Sequence, residues 1–186
     1  MNKILLILIC SLSVSTIHSQ QLSTEWENDL KKILHQFMSC RDQIDDLSPC
    51  NKFVSEALKS AYFVDDFYDK QKNRHMLANE IFEYLKSSPQ WLLLGNAGDQ
   101  EALRSAYRDA NANKAVLAVL KGPAFGHVAL VMPGNLSKSS SWGGLEVPNS
   151  ASFFLNNPQK SYIGKHLGWA FKSIDKSKVL LYVRIY

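Results

Sequence analysis

The hydrophobic pattern of this chain changes period once, near Ala115, and that change limits the folds open to it. Upstream, apolar residues recur at helical spacing. Downstream they come in short runs parted by Gly, Pro and Ser. Leu22 to Met38 carries Trp26, Leu30, Ile33, Leu34 and Phe37 along one side, and Thr24 with Glu27 has the form of a capping box. The polar stretch Arg41 to Ser48 reads as a loop. A second helix is expected from Ser48-Pro49, with serine as cap and proline at the first helical position, burying Phe53, Val54, Ala57, Leu58 and Ala61. Val64 to Arg74 reads as a connection and His75 to Lys86 as a third helix. Trp91 to Leu94 is open between a short strand and a buried turn. Asp99 caps a further helix that runs to Asn113.

From Ala115 to Leu120 the chain is continuously apolar, as a central strand would be. Gly122 to Gly126 turns it, and His127 to Met132 returns as the second arm of a hairpin. Asn135 to Gly144 reads as a Ser-rich loop in which Trp142-Gly143-Gly144 is either an aromatic anchor in a turn or a groove lining. Leu145 to Phe154, Gly168 to Ser173 and Val179 to Ile185 are further candidate strands. Helices first and an antiparallel sheet second is an α+β pattern.

The N-terminus narrows the setting. Lys3, the apolar run Ile4 to Ile9 and the small or polar residues Ser15, Thr16 and Ser19 describe a secretory signal peptide over residues 1–19. Cleavage after Ser15 is the alternative. The run is too short and too broken by serine to span a bilayer, and bulky Ile9 before Cys10 does not suit a lipid anchor. The expectation is therefore a secreted protein, extracellular or, in a bacterium, periplasmic. It has one domain over 20–186 and no stable membrane association. A formal net charge of +4 without any block of like charge gives no footprint for nucleic acid.

Signal removal leaves two cysteines, Cys40 and Cys50, which in an oxidising compartment can close as a disulfide. The other use of such a residue is nucleophilic. A thiolate attacks carbonyl carbon, and the first turn of a helix favours it through unpaired N–H groups and the positive end of the dipole. Cys50, next to Pro49, is predicted to occupy that position. The histidines outside the signal are His35, His75, His127 and His166. His127 opens a core strand after Gly126, and alternation puts it on one face with Ala129 and Val131, small or slim neighbours that would let a helix bearing Cys50 pack close. His35 and His75 fall in predicted helices, and His166 in a loop or at a rim.

These residues form a recognisable pair of boxes. Ser48-Pro49-Cys50-Asn51-Lys52-Phe53-Val54, followed by Leu120-Lys121-Gly122-Pro123-Ala124-Phe125-Gly126-His127-Val128-Ala129-Leu130-Val131, resembles the Cys and His boxes of NlpC-type papain-like peptidases, most of all the first family of type VI secretion amidase effectors. The resemblance covers about Cys50 to Gly134. It implies a papain-like fold with helices packed on an antiparallel sheet. It also implies a cysteine amidase, a thiol protease of antibacterial use, that hydrolyses peptidoglycan stem peptides at γ-D-glutamyl–diaminopimelate or a neighbouring bond. Cys50 would be the nucleophile and His127 the base. No metal or organic cofactor is implied. The expected partners are bacterial peptidoglycan and an immunity or inhibitor protein, and a monomer is expected. The chain departs from the family at Pro49, where Asp or Asn is common, at Asn51-Lys52, where Ser-Gly is usual, and in having a signal peptide. For the polar residue that orients the imidazole, Asn149 is the first choice and Glu146 the alternative. The rival reading is a non-catalytic secreted cell-wall-binding protein with a Cys40–Cys50 disulfide.

Overall fold

The computed structural model describes residues 22–40 and 52–186. The expected signal peptide, the expected 41–48 loop and Ser48-Pro49 helix start, and Cys50 lie outside the described residues. The architecture is α+β: the described residues form four α-helices and a six-stranded antiparallel sheet.

Two helices open the described chain, α1 (Trp26–Ser39) and α2 (Phe53–Tyr62). Leu30, Ile33 and Phe37 recur on one side of α1 and are buried there. The Thr24 capping box does not form: Glu25 is the cap residue, and its own N–H donates to Ser23 Oγ (3.2 Å). A short hairpin of β1 (Tyr68–Asp69) and β2 (Arg74–His75) interrupts the segment expected as a plain connection. It takes His75 out of the third helix. That helix, α3 (Ala78–Ser87), begins later because Glu80 turns back to accept the Leu77 N–H (2.8 Å) while holding Arg74 and Lys72. Three donors on one carboxylate hold Glu80 far below the usual carboxylate range, with Arg74 the leading cause.

The sheet order is β3-β10-β4-β5-β8-β9. Its strands are β3 (Trp91–Asn96), β4 (Val116–Leu120), β5 (His127–Val131), β8 (Asn149–Ser152), β9 (Tyr162–His166) and β10 (Leu180–Arg184). Helix α4 (Gln100–Asn111) starts where the sequence predicts, with Asp99 accepting the Glu101 N–H (3.0 Å). Alternation along the central strands divides the core in two. Leu117, Val119, Val128, Leu130, Ala151 and Phe153 face α1, α2 and α3. Val116, Ala118, Ala129, Val131 and Leu181 face α4 and the C-terminal turns.

The stretch Leu145 to Phe154 is not one strand. Pro148 supplies no N–H, and the chain divides there. β7 (Leu145–Val147) pairs with β6 (Ser137–Ser139), a strand inside the expected Ser-rich loop, whereas β8 joins the main sheet. Trp142 sits in the short 3-10 turn between β6 and β7, fully buried against the α4 side, and Gly143 and Gly144 turn the chain away at positive φ. It is the aromatic anchor of the two options. Gly168 to Ser173 is not a strand either. Leu167–Trp169 forms a 3-10 turn, and Leu167 and Phe171 are buried four residues apart.

Candidate active site

β4 and β5 meet at a turn locked onto α3. Asn79 accepts the Gly122 N–H (3.1 Å) and donates to the Gly122 carbonyl (3.0 Å), so one side chain closes both polar groups of one turn residue. Glycine is required at both ends of this turn. A Cβ on Gly122 would lie 1.8 Å from the Phe125 carbonyl oxygen, and one on Gly126 would lie 2.5 Å from Asn79 Oδ1. The turn fixes the backbone entering His127.

His127 is half-buried, the first residue of β5. Its ring stacks on Phe154 (4.6 Å between centroids, 20° between planes) and meets the edge of Phe171 at 5.3 Å. Nε2 lies 2.7 Å from Oγ of Ser152, a residue with no exposed surface at the last position of β8. The two rings fix the imidazole plane and the hydroxyl fixes its rotation. Burial lowers the imidazole to about 4. At neutral pH the ring is uncharged and able to accept a proton.

His127 lines a groove of about 870 Å³ together with Phe53 and Val54 of α2, Phe154, Trp169 and Phe171. Trp169 and Phe125 are 61% and 64% exposed at this groove, apolar surface that a folded chain leaves open to a ligand more readily than to water. The alternation expected for His127 holds: its ring contacts belong with the Ala129 and Val131 face. The helix expected over that face does not. The body of α2 packs on the opposite face, against the side of the sheet that carries Val128 and Leu130. The groove is where the two faces come together, past the end of β5, with the N-terminal residues of α2 and His127 on one wall system.

The remaining predicted site residues sit as follows. Cys50 is outside the described residues, three positions before Phe53, and Lys52 between them already has helical backbone angles (φ −66°, ψ −20°). Asn149 is not brought to His127. It lies beside Met132, whose N–H donates to its carbonyl (2.9 Å), about 17 Å along the strand from His127 at the usual rise per residue. Its side-chain amide donates to the Pro133 carbonyl (3.1 Å), which secures the turn after β5. Glu146 is tied to α4 through Arg104 (3.0 Å) and through two bonds between its backbone and Gln100. Neither side chain reaches the imidazole, whereas the Ser152 hydroxyl does. His75 lies on β2 against Tyr68, and His35 is exposed on α1.

No family model and no curated protein matches this chain.

Two further observations bear on the chemistry. Cys40 is disulfide-bonded, and Cys10 and Cys50, the other cysteines of the chain, both lie outside the described residues. Among the described residues, no group of three or more His, Cys, Asp or Glu side chains is placed to hold a metal ion, and no helix is long and apolar enough to cross a membrane.

The buried imidazole makes stability depend on pH in a fixed direction. Above about pH 6.5 the ring is neutral in both folded and unfolded chains and contributes no slope. Between 6.5 and about 4 the unfolded chain binds a proton that the folded one refuses, so stability falls as pH falls, by at most about 1.4 kcal/mol per pH unit. His75 and His166, both lowered mainly by burial, act in the same direction. Urea midpoints at pH 7.5 and 5.0 should differ less in His127→Gln than in the wild type. An equal pH dependence in the two would show that position 127 does not titrate this way.

Proposed function

We propose that the protein is a secreted peptidoglycan hydrolase with an NlpC-type papain-like fold, antibacterial in use. It would cleave an amide bond of bacterial cell-wall stem peptides, with γ-D-glutamyl–diaminopimelate the first candidate. The observation that carries the reading is that His127, stacked on Phe154 and edge-on to Phe171, and the N-terminal residues of α2 line one open groove, with Cys50 three residues upstream of Phe53 in sequence. In this mechanism Cys50 gives its proton to His127, and the sulfur attacks the scissile carbonyl. The imidazolium then protonates the leaving amine. The free ring afterwards takes a proton from water, which hydrolyses the thioester and restores the thiol. With burial favouring the neutral ring, the imidazole takes the thiol proton as a base in this reading. Peptidoglycan is the substrate partner, and an immunity or inhibitor protein would cover the same groove.

The disulfide at Cys40 favours a second reading, a non-catalytic secreted cell-wall-binding protein in which Cys40 and Cys50 are joined. One experiment separates the two. Purified chain without its signal is assayed for reactive thiol at neutral pH, then incubated with purified sacculi, with and without a small thiol reductant, and the released muropeptides are weighed by mass spectrometry. The hydrolase reading expects one fast-reacting thiol and muropeptides cut at a single amide. Sacculi left intact under both conditions, alongside retention of the protein on them, would establish the binder instead.

A further inference from the structure

Among the described residues, position 152 holds the polar side chain bonded to His127, and nothing in the local sequence marks it. Ser152 ends β8, is fully buried, and places Oγ 2.7 Å from Nε2 of His127. The sheet register puts it there: Ser152 pairs with Ala129, so its side chain shares a face with His127, two residues along the neighbouring strand. With Nε2 taken by Ser152, Nδ1 is the ring nitrogen left for the groove that His127 lines.

We infer that Ser152 is the positioning residue of this site, its Oγ accepting the Nε2–H of His127 so that the unprotonated Nδ1 faces the groove as the base. The catalytic meaning of this inference rests on the Cys–His reading above; the tautomer itself does not. A hydroxyl suits the task for a reason that a carboxylate does not share. The oxygen accepts from Nε2–H in the neutral ring and continues to accept after Nδ1 has taken a proton, so nothing has to turn during the transfer. It also brings no charge. The imidazolium therefore exists only while a thiolate or a developing oxyanion stands beside it, and the proton is readily handed on to the leaving group. Phe154 and Phe171 keep water from competing for Nε2.

Long-range proton–nitrogen NMR spectra of the imidazoles test this in the full chain without its signal, with His127 assigned through the His127→Gln variant. The wild type should show one tautomer at neutral pH, protonated at Nε2 and bare at Nδ1. Ser152→Ala should give a mixture of tautomers, and Ser152→Thr, which keeps the hydroxyl, should restore the single form. On sacculi, Ser152→Ala should lose about 10-fold to 100-fold in kcat with KM little changed. A wild-type ring protonated at Nδ1, or a Ser152→Ala spectrum identical to wild type, overturns the inference. A wild type that leaves sacculi uncut while its spectra behave as expected removes the hydrolase reading and leaves the role of Ser152 in place.

Discussion

Cys50→Ala is expected to release no muropeptide from sacculi, a loss of about 10⁴-fold or more, while its thermal unfolding stays within a few degrees of wild type. The magnitude follows from the role assigned to the sulfur. Without it the acyl-enzyme cannot form, and what remains is orientation by the groove and whatever water His127 can activate alone. The companion variant Cys40→Ala removes the disulfide at Cys40 and is still expected to cleave sacculi. Together they separate a nucleophile from a bracing disulfide. A structural bridge loses the same stability from either end, usually about 2–5 kcal/mol, and neither variant would then differ from the other. A Cys50→Ala protein that still cuts sacculi would end the reading.

Trp142→Ala is expected to cost about 3–5 kcal/mol, enough to unfold a marginal domain at body temperature. The indole has no exposed surface and fills the space between α4 and the C-terminal turns, beside Val147, Leu167 and Phe171. Its loss would open a cavity below Phe171, one of the two rings that hold His127. Trp142→Phe should recover most of the stability, because it refills most of the volume. Chemical denaturation of the three proteins checks this. A midpoint for Trp142→Ala within experimental scatter of wild type would mean that the indole is not the anchor of that layer.

What could be read from the residues follows from how many independent signals each element carried. The β4–β5 hairpin was plain because a six-residue apolar run, a Gly-Pro-containing turn and a second apolar run agree with one another. α4 was equally plain, its Asp99 cap and its apolar stripe pointing the same way. β9 was not, because it is an edge strand in which Tyr162 alone is buried, broken by Gly164 at φ 85° and by a register shift in its partner. The apolar residues of Gly168 to Ser173 suggest a strand, but the buried residues Leu167, Ala170 and Phe171 fall at i, i+3 and i+4, the spacing of a helical turn and not of alternation.

The site divides along the same line. His127 stood out by its position after a glycine turn and by the neighbours that alternation gave it. The resemblance of the Cys and His boxes supplied a role for it, one that remains a proposal. Ser152 carried no such mark: one serine among several, in a stretch whose break at Pro148 concealed where the strand began. Only the pairing of β5 with β8 brings it to the imidazole, and the same pairing sends Asn149 to the far end.

The order of the sheet has a consequence for biogenesis. β10, last of the strands in chain order, is threaded between β3 and β4, and Arg184 at its end locks onto Asp66 (2.8 Å) beside the indole N–H of Trp91 (2.9 Å). A nascent chain leaving the ribosome can therefore pair β4, β5, β8 and β9 but cannot attach β3 to them until residues 180–184 have emerged. A premature stop before residue 180 therefore removes an internal strand and leaves β3 without its neighbour, which is more than a trimmed edge.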